Sequence, residues 1–278
     1  MEKTIVMLTD FGKGISTSTM DGVISMIDPS IKTFDCNHDI TPFDTYEASF
    51  SLFYIIDYWA KGTIFVSVVD PTVGTDRRAC VAKLSNGSYV VTPDNGSLTH
   101  MKKYVGIDEV RIIDEEKNRL QSTKACSIFH GRDLFAYCAA KLASGQITYE
   151  EVGPKYDTED IVMHEFINPC IVDNQVEGML ETSDKHFGLI CSNIPYKMVQ
   201  ELGINYGDIL NVTISNSEEV VYSKDIPFVK SFGFVNKGDD LLMVSETLQL
   251  QLARNLENIL DYYKFGTGPD WKIKINKR

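Results

Sequence analysis

No stretch of this 278-residue sequence reaches the ~18 consecutive apolar residues that a bilayer-spanning helix needs. Basic residues are scarce: 27 Lys and Arg stand against 39 Asp and Glu, a formal net charge of −12. A nucleic-acid binder needs a positive footprint for phosphates, and an anionic membrane surface would repel this balance, so neither partner is expected. Met1-Glu2-Lys3-Thr4 runs straight into an apolar strand, without the h-region and cleavage site of a signal peptide. The six Cys, at 36, 80, 126, 138, 170 and 191, form no CxxC pair; free thiols in a reducing cytoplasm are expected. The five His show neither HExxH nor paired ligand spacing, so no zinc or other metal site is expected. No GxGxxG opens a helix after the first strand, and neither a P-loop nor a GxSxG elbow is present. These absences exclude dinucleotide fingerprints, Walker-type nucleotide sites and the α/β-hydrolase nucleophile.

What is present is an ordinary globular composition, 43% hydrophobic and 24% charged. The first half alternates strand-like and helix-like runs. Thr4–Thr9, Ile31–Cys36 and Thr63–Val69 read as strands; Ser16–Asp28, Ala48–Ala60 and His130–Ala143 read as helices. Asp44 followed by Glu47 reads as a capping box. Asn86-Gly87 between two apolar runs predicts a hairpin with a type I′ turn. The polar stretch Gly153–Asp160 reads as a linker. Beyond it, short strand-like runs separated by Gly and Asn from Ile167 to Val235 give an all-β texture, followed by a helical run over Ser245–Tyr262. The sequence therefore predicts an α/β domain at 1–160, its central sheet between helices, and a smaller, β-rich domain at 161–278.

Three loops could carry chemistry. Thr9-Asp10-Phe11-Gly12 follows the first strand, where ligands of layered α/β sheets bind; Asp10 could accept both hydroxyls of a ribose, or the segment could be a plain turn. Val69-Asp70-Pro71-Thr72-Val73-Gly74-Thr75-Asp76-Arg77-Arg78 follows a buried strand and could hold Asp70 beside Arg77, as a catalytic pair or a structural ion pair. His130 opens a helix, where the dipole should lower its pKa and favour neutral imidazole. Pro93-Asp94-Asn95-Gly96 is a further strand-to-helix loop, suited to a backbone approach or to a tight turn.

Taken in order, these segments resemble a known family. Leu8-Thr9-Asp10-Phe11-Gly12, His38-Asp39-Ile40, the Val69–Arg78 loop, Pro93-Asp94-Asn95-Gly96 and Phe129-His130-Gly131-Arg132-Asp133 are similar to the S-adenosyl-L-methionine hydrolases, or hydroxide adenosyltransferases, relatives of the fluorinase and chlorinase. In the second half, Asp184, Phe187-Gly188 and Ser192-Asn193 resemble the family's adenine- and methionine-contacting segment.

The resemblance implies an N-terminal α/β domain and a C-terminal barrel-like β domain. It implies a homotrimer with the substrate, S-adenosyl-L-methionine, held between the N-domain of one subunit and the C-domain of the next, and no cofactor. The reaction implied is attack of water or hydroxide at ribose C5′, releasing adenosine and L-methionine. The family's water-activating set falls on Asp70, Arg77 and His130. Asp10 matches the ribose carboxylate; Phe43, Asp184, Phe187, Ser192, Asn193, Phe232 and Ser245 match substrate-contacting positions. A non-catalytic nucleoside-binding module is the second reading. Halogenating relatives carry a Tyr where Asp70 stands, and a carboxylate would repel a halide, so halide-dependent adenosyl transfer is a third, disfavoured reading. Thr72 replaces a usual Gly and Leu189 a usual Asn; Arg254 reads as a partner for the substrate carboxylate or, preferred, as a helix-surface residue.

Overall fold

The computed structural model describes residues 3–278. The chain divides into two compact units, one ending at His164 and the other running from Glu165. The first is layered α/β. Its elements are β1 (Thr4–Thr9), α1 (Ile15–Ile27), β2 (Lys32–Asn37), α2 (Thr45–Ile55), β3 (Ile64–Val68), β4 (Ala79–Leu84), β5 (Tyr89–Pro93), β6 (Ile107–Ile112), α3 (Glu115–Asn118), α4 (Tyr137–Ser144) and β7 (Lys155–Tyr156). They build a seven-stranded sheet in the order β2-β1-β3-β5-β4-β6-β7. Pairing is parallel from β2 through β5 and antiparallel from β5 to β7.

Period-two side-chain alternation gives this sheet two apolar faces. Ile5, Met7, Ile64, Val66 and Val68 pack with Met20, Ile24 and the Leu134–Ala143 helical segment. Val6, Leu8, Phe65 and Val90 face the other way, onto Ala48, Leu52 and Ile56. Asp44 caps α2 by accepting from Glu47 N at 2.9 Å. The return bond of a capping box is not made; Glu47 instead accepts from Thr41 N at 3.4 Å.

Two local expectations change. The Asn86-Gly87 turn is not type I′: of the two, only Gly87 has positive φ (90°), while Gly87 N donates to Leu84 O and Leu84 N to Ser88 O. That pattern is a type I turn with a glycine bulge, the three-residue hairpin solution. The Gly153–Asp160 stretch is not a free linker either. β7 pairs with β6, and Tyr156 donates its hydroxyl to Asp94 at 3.0 Å.

The second unit contains β8 (Cys170–Val172), β9 (Gln175–Asp184), β10 (Leu189–Pro195), α5 (Tyr196–Glu201), β11 (Ile209–Asn216), β12 (Glu219–Pro227), β13 (Asp240–Val244), β14 (Gln249–Arg254), α6 (Ile259–Tyr263) and β15 (Trp271–Lys277). The antiparallel order is β12-β11-β15-β9-β10-β14-β13, with β8 on β9. Phe228, just past β12, bridges Leu242 of β13, so the sheet's two edges meet and the barrel nearly closes. Its core holds Phe228, Leu242, Leu250 and Leu252.

The helix expected over Ser245–Tyr262 is instead β14 followed by the short α6. Leu, Gln and Ala favour helix intrinsically, but pairing on both sides, with β10 and β13, overrides that preference. Buried Gln249 donates to Glu181 at 2.6 Å, and buried Gln251 accepts from Cys191 Sγ at 3.3 Å, so both amides find partners inside.

Candidate active site

The carboxyl ends of the parallel strands in the first unit gather the residues expected there. After β1, Thr9 Oγ1 accepts from Phe11 N at 3.2 Å and lies 2.8 Å from His38 Nδ1, whose ring reaches Asp35 at 3.1 Å. Gly12 N donates to His38 O. The chain around Asp10 is thus fastened on both sides. Asp10 Oδ2 accepts from Phe43 N at 3.0 Å. Phe43 sits at φ 71°, a rare conformation for an aromatic residue, and the residue is 70% exposed.

After β3, Asp70 and Arg77 form a nearly buried ion pair, with side chains 5% and 7% exposed. Arg77 Nε donates to Asp70 Oδ2 at 2.9 Å, and Nη2 reaches the same oxygen. Thr72, the replacement for a Gly, places its hydroxyl 3.4 Å from the other oxygen of Asp70. Arg77 Nη2 also lies 3.0 Å from Nδ1 of His130. A guanidinium can only donate, so Nδ1 accepts and the proton of neutral His130 sits on Nε2. Nε2 is buried and has no partner among the described residues. Burial first, and the Arg77 charge second, push the His130 pKa below its ordinary value, the direction expected from the sequence.

A recess of about 350 Å³ opens over this set, lined by Phe11, Asp70, Val73, Phe129, His130 and Gly131. Gly131 packs closely against Phe11: a Cβ there would stand 2.8 Å from the edge of its ring, which would have to shift. Among the described residues, no cluster of three or more His, Cys, Asp or Glu has a metal-binding arrangement.

The second unit carries its own recess, about 480 Å³, lined by residues that include Phe187, Phe232, Arg254 and Leu256. Asp184 Oδ1 accepts from His186 N and Phe187 N at 2.8 and 2.9 Å, folding a turn that leaves Phe187 70% exposed. Gly188 closes the turn at φ 66°, where an added Cβ would lie 2.6 Å from Asn258 Cα.

Arg254, which sequence reasoning placed on a helix surface, ends β14. It donates to Asp240 at 2.7 Å and Glu257 at 2.8 Å and stacks on Tyr262 at 4.1 Å. Its guanidinium is committed to holding the recess wall. Leu256, missed in the sequence, projects beside it at φ 58° and 78% exposed. No sequence signal marks it.

Three further expected contact residues do not line this recess. Ser192 is buried and donates to Leu250 O at 2.9 Å. Asn193, fully buried, bonds Met179 N and Ile167 O at 2.9 and 2.6 Å. Ser245 contacts Thr247 Oγ1 at 2.9 Å and accepts from Gln249 N at 3.2 Å within the β13–β14 turn. All three are used to fasten the β unit.

An α/β unit with an Asp–Arg–His set at its strand ends, followed by a nearly closed β barrel with a second, aromatic recess, defines a two-domain class of small-molecule enzyme. Residues 5–153 match the SAM hydroxide adenosyltransferase N-terminal domain, and residues 180–272 match the corresponding C-terminal domain. The chain belongs to the SAM hydroxide adenosyltransferase family. It is 27% identical to an (R)-S-adenosyl-L-methionine hydrolase of Methanocaldococcus jannaschii, over 91% of this chain and 89% of that one. It is 25% identical to a fluorinase of Actinoplanes sp., over 95% of both. A crystal structure of an uncharacterized conserved protein from Thermotoga maritima superposes with a TM-score of 0.88 at 30% identity, covering 98% of this chain and 99% of that one.

Proposed function

We propose that this protein hydrolyses S-adenosyl-L-methionine to adenosine and L-methionine. The observation that carries the reading is the protonation pattern of the set: His130 Nε2–H is a buried donor without a partner among the described residues, next to a carboxylate clamped by the same arginine. A water there accepts from Nε2–H, donates to Asp70 and keeps a lone pair for the substrate. Its oxygen bonds to ribose C5′ as the C5′–S bond breaks. The bonding pair leaves on sulfur, turning the sulfonium into the neutral thioether of methionine, and the water's proton passes to Asp70. The sulfonium is already a good leaving group, so the enzyme's task is to position the water and the electrostatics around it. Nothing in this balance calls for a metal or a redox group.

Asp10 takes the ribose diol, with Phe43 as an apolar wall. Phe187 and Phe232, with Asp184 beneath the turn, receive the adenine and methionine portions. The protein acts as a homotrimer in the cytoplasm, the α/β recess of each subunit completed by the β unit of its neighbour. Asp70 disfavours the fluorinase-like alternative, because its carboxylate lines the recess and engages Arg77, the cation that would otherwise attract a halide.

The test is incubation with S-adenosyl-L-methionine in oxygen-18 water without halide. Labelled adenosine with methionine establishes hydrolysis at C5′. Ligand-dependent stabilisation without product would make the chain a binding module, and product only with added halide would make it a halogenase.

A further inference from the structure

The loop that carries Asp70 and Arg77 connects β3 to β4, which are not neighbours: β5 lies between them. The loop must bridge two strand spacings, about 10 Å, across the carboxyl end of β5. The residues leaving β5 at that point are Asp94 and Asn95, and they hold both feet of the arch. At its start, Asn95 Nδ2 donates to Val69 O at 2.9 Å, a carbonyl just past the end of β3. At its end, Asp94 N donates to Arg78 O at 2.9 Å, and the buried Asp94 carboxylate accepts from Arg78 Nε at 2.8 Å.

The amide orientation of Asn95 is fixed independently. Its Oδ1 accepts from Ser97 N and Ser97 Oγ at 3.3 and 2.7 Å, so a flipped amide would oppose donor to donor and acceptor to acceptor. Asp94 is anchored in turn by Tyr156 OH and Val162 N at 3.0 and 2.9 Å.

We infer that Asn95 is a positioning residue for the hydrolytic set. Through the Val69 carbonyl it fixes where Asp70 enters the recess, and Asp94 fixes the opposite foot, beside Arg77. The inference rests on the hydrolase reading for its kinetic readout, but not for its structural one.

Asn95→Asp is the discriminating variant. It is isosteric and still accepts from Ser97, but as a carboxylate it cannot donate to Val69 O. At neutral pH, kcat should fall on the order of 10²-fold, the scale of an ångström-level misplacement, with KM within about twofold. Protonation of the new carboxyl restores a donor, so the variant-to-parent kcat ratio should rise as pH falls. A role confined to overall stability would lower Tm and leave that ratio flat.

The second readout is nitrogen-15 NMR titration of His130, which reports the Arg77 contact without substrate. In Asn95→Ala, which removes the donor to Val69 O without adding a charge that would itself raise the histidine, its midpoint should move up toward 6.5, the ordinary histidine value. Unchanged kcat, or a flat ratio with an unmoved titration, overturns the inference. If the parent does not hydrolyse the substrate, the titration alone decides the clamp. Should Asn95→Asp fail to fold, Ser97→Ala removes one of the groups holding the Asn95 carbonyl. It should give a smaller fall in kcat with the same upward movement of His130; no change in either overturns the inference.

Discussion

Arg77 Nη2 stands 3.0 Å from Nδ1 of His130, and that contact decides which imidazole nitrogen carries the proton. Because the arginine cannot accept, a second proton on His130 would set two donors face to face. Burial, which penalises the charged form, and then the Arg77 charge lower the pKa in the same direction. The acid limb of kcat/KM should therefore lie below pH 6.5, with full activity held through neutrality. An acid limb above that value would contradict the assigned tautomer.

Stability should show the same sign. The pKa values of His130 and His164 are both lowered in the folded chain, chiefly by burial. The unfolded chain then takes up protons first, so this contribution is present above the ordinary histidine pKa and is lost as pH falls through it. Tm should decline as pH falls from neutrality through the ordinary histidine pKa. His164→Gln should reduce the part of the decline that belongs to that residue.

Asp70→Asn keeps an acceptor for Arg77 but loses the base. Turnover should drop about 10²- to 10⁴-fold with KM little changed. Asp70→Ala should add a folding defect of roughly 3 kcal/mol or more, because it leaves the arginine buried without its partner. Steady-state kinetics and denaturant unfolding on the two variants separate these effects. Equal stability of the two would mean that the ion pair does not hold the loop.

Gly131→Ala puts a methyl 2.8 Å from the Phe11 ring. The overpacking should cost about 1–3 kcal/mol and narrow the recess. Adding Phe11→Leu should recover much of the lost Tm. Absence of recovery would show that the strain goes elsewhere.

In the β unit, Gly188→Ala combines a left-handed φ with a Cβ 2.6 Å from Asn258 Cα. The turn that presents Phe187 would have to move, at a cost of a few kcal/mol. KM should rise severalfold while kcat stays near that of the parent, since the residue lies outside the hydrolytic set. A fall in kcat alone would argue against the assignment of this recess to binding.

How far the sequence spoke can be judged residue by residue. The α/β layering was legible because buried parallel strands such as Ile64–Val68 are apolar at all but one position, Ser67, and the intervening helices are periodic. Asp70, Arg77 and His130 stood out as polar residues at strand and helix ends, and the structure brings them into contact. β14 was misread as helix: its Leu-Gln alternation has the period of a strand, but the helix propensity of Leu, Gln and Ala across the longer run masked it. Nor was the use of Ser192 and Asn193 inside the barrel, since a polar residue between apolar ones does not declare whether it serves a ligand or the backbone. Arg254 illustrates the same limit: Asp240 and Glu257 claim its guanidinium, and the spacing to Asp240 only acquires meaning in the β13–β14 pair.

The insertion of β5 between β3 and β4 also bears on the order of assembly. β3 and β4 cannot pair on their own as a local hairpin and later admit a stranger; β5, made after both, has to take the central place before the arch has footings. Nascent or partly folded chains would therefore hold the β3–β4 connection slack, at the slow, non-local end of the folding reaction. Onset of catalysis during refolding would then mark the moment when the centre of the sheet is complete, and should lag behind the recovery of helical signal.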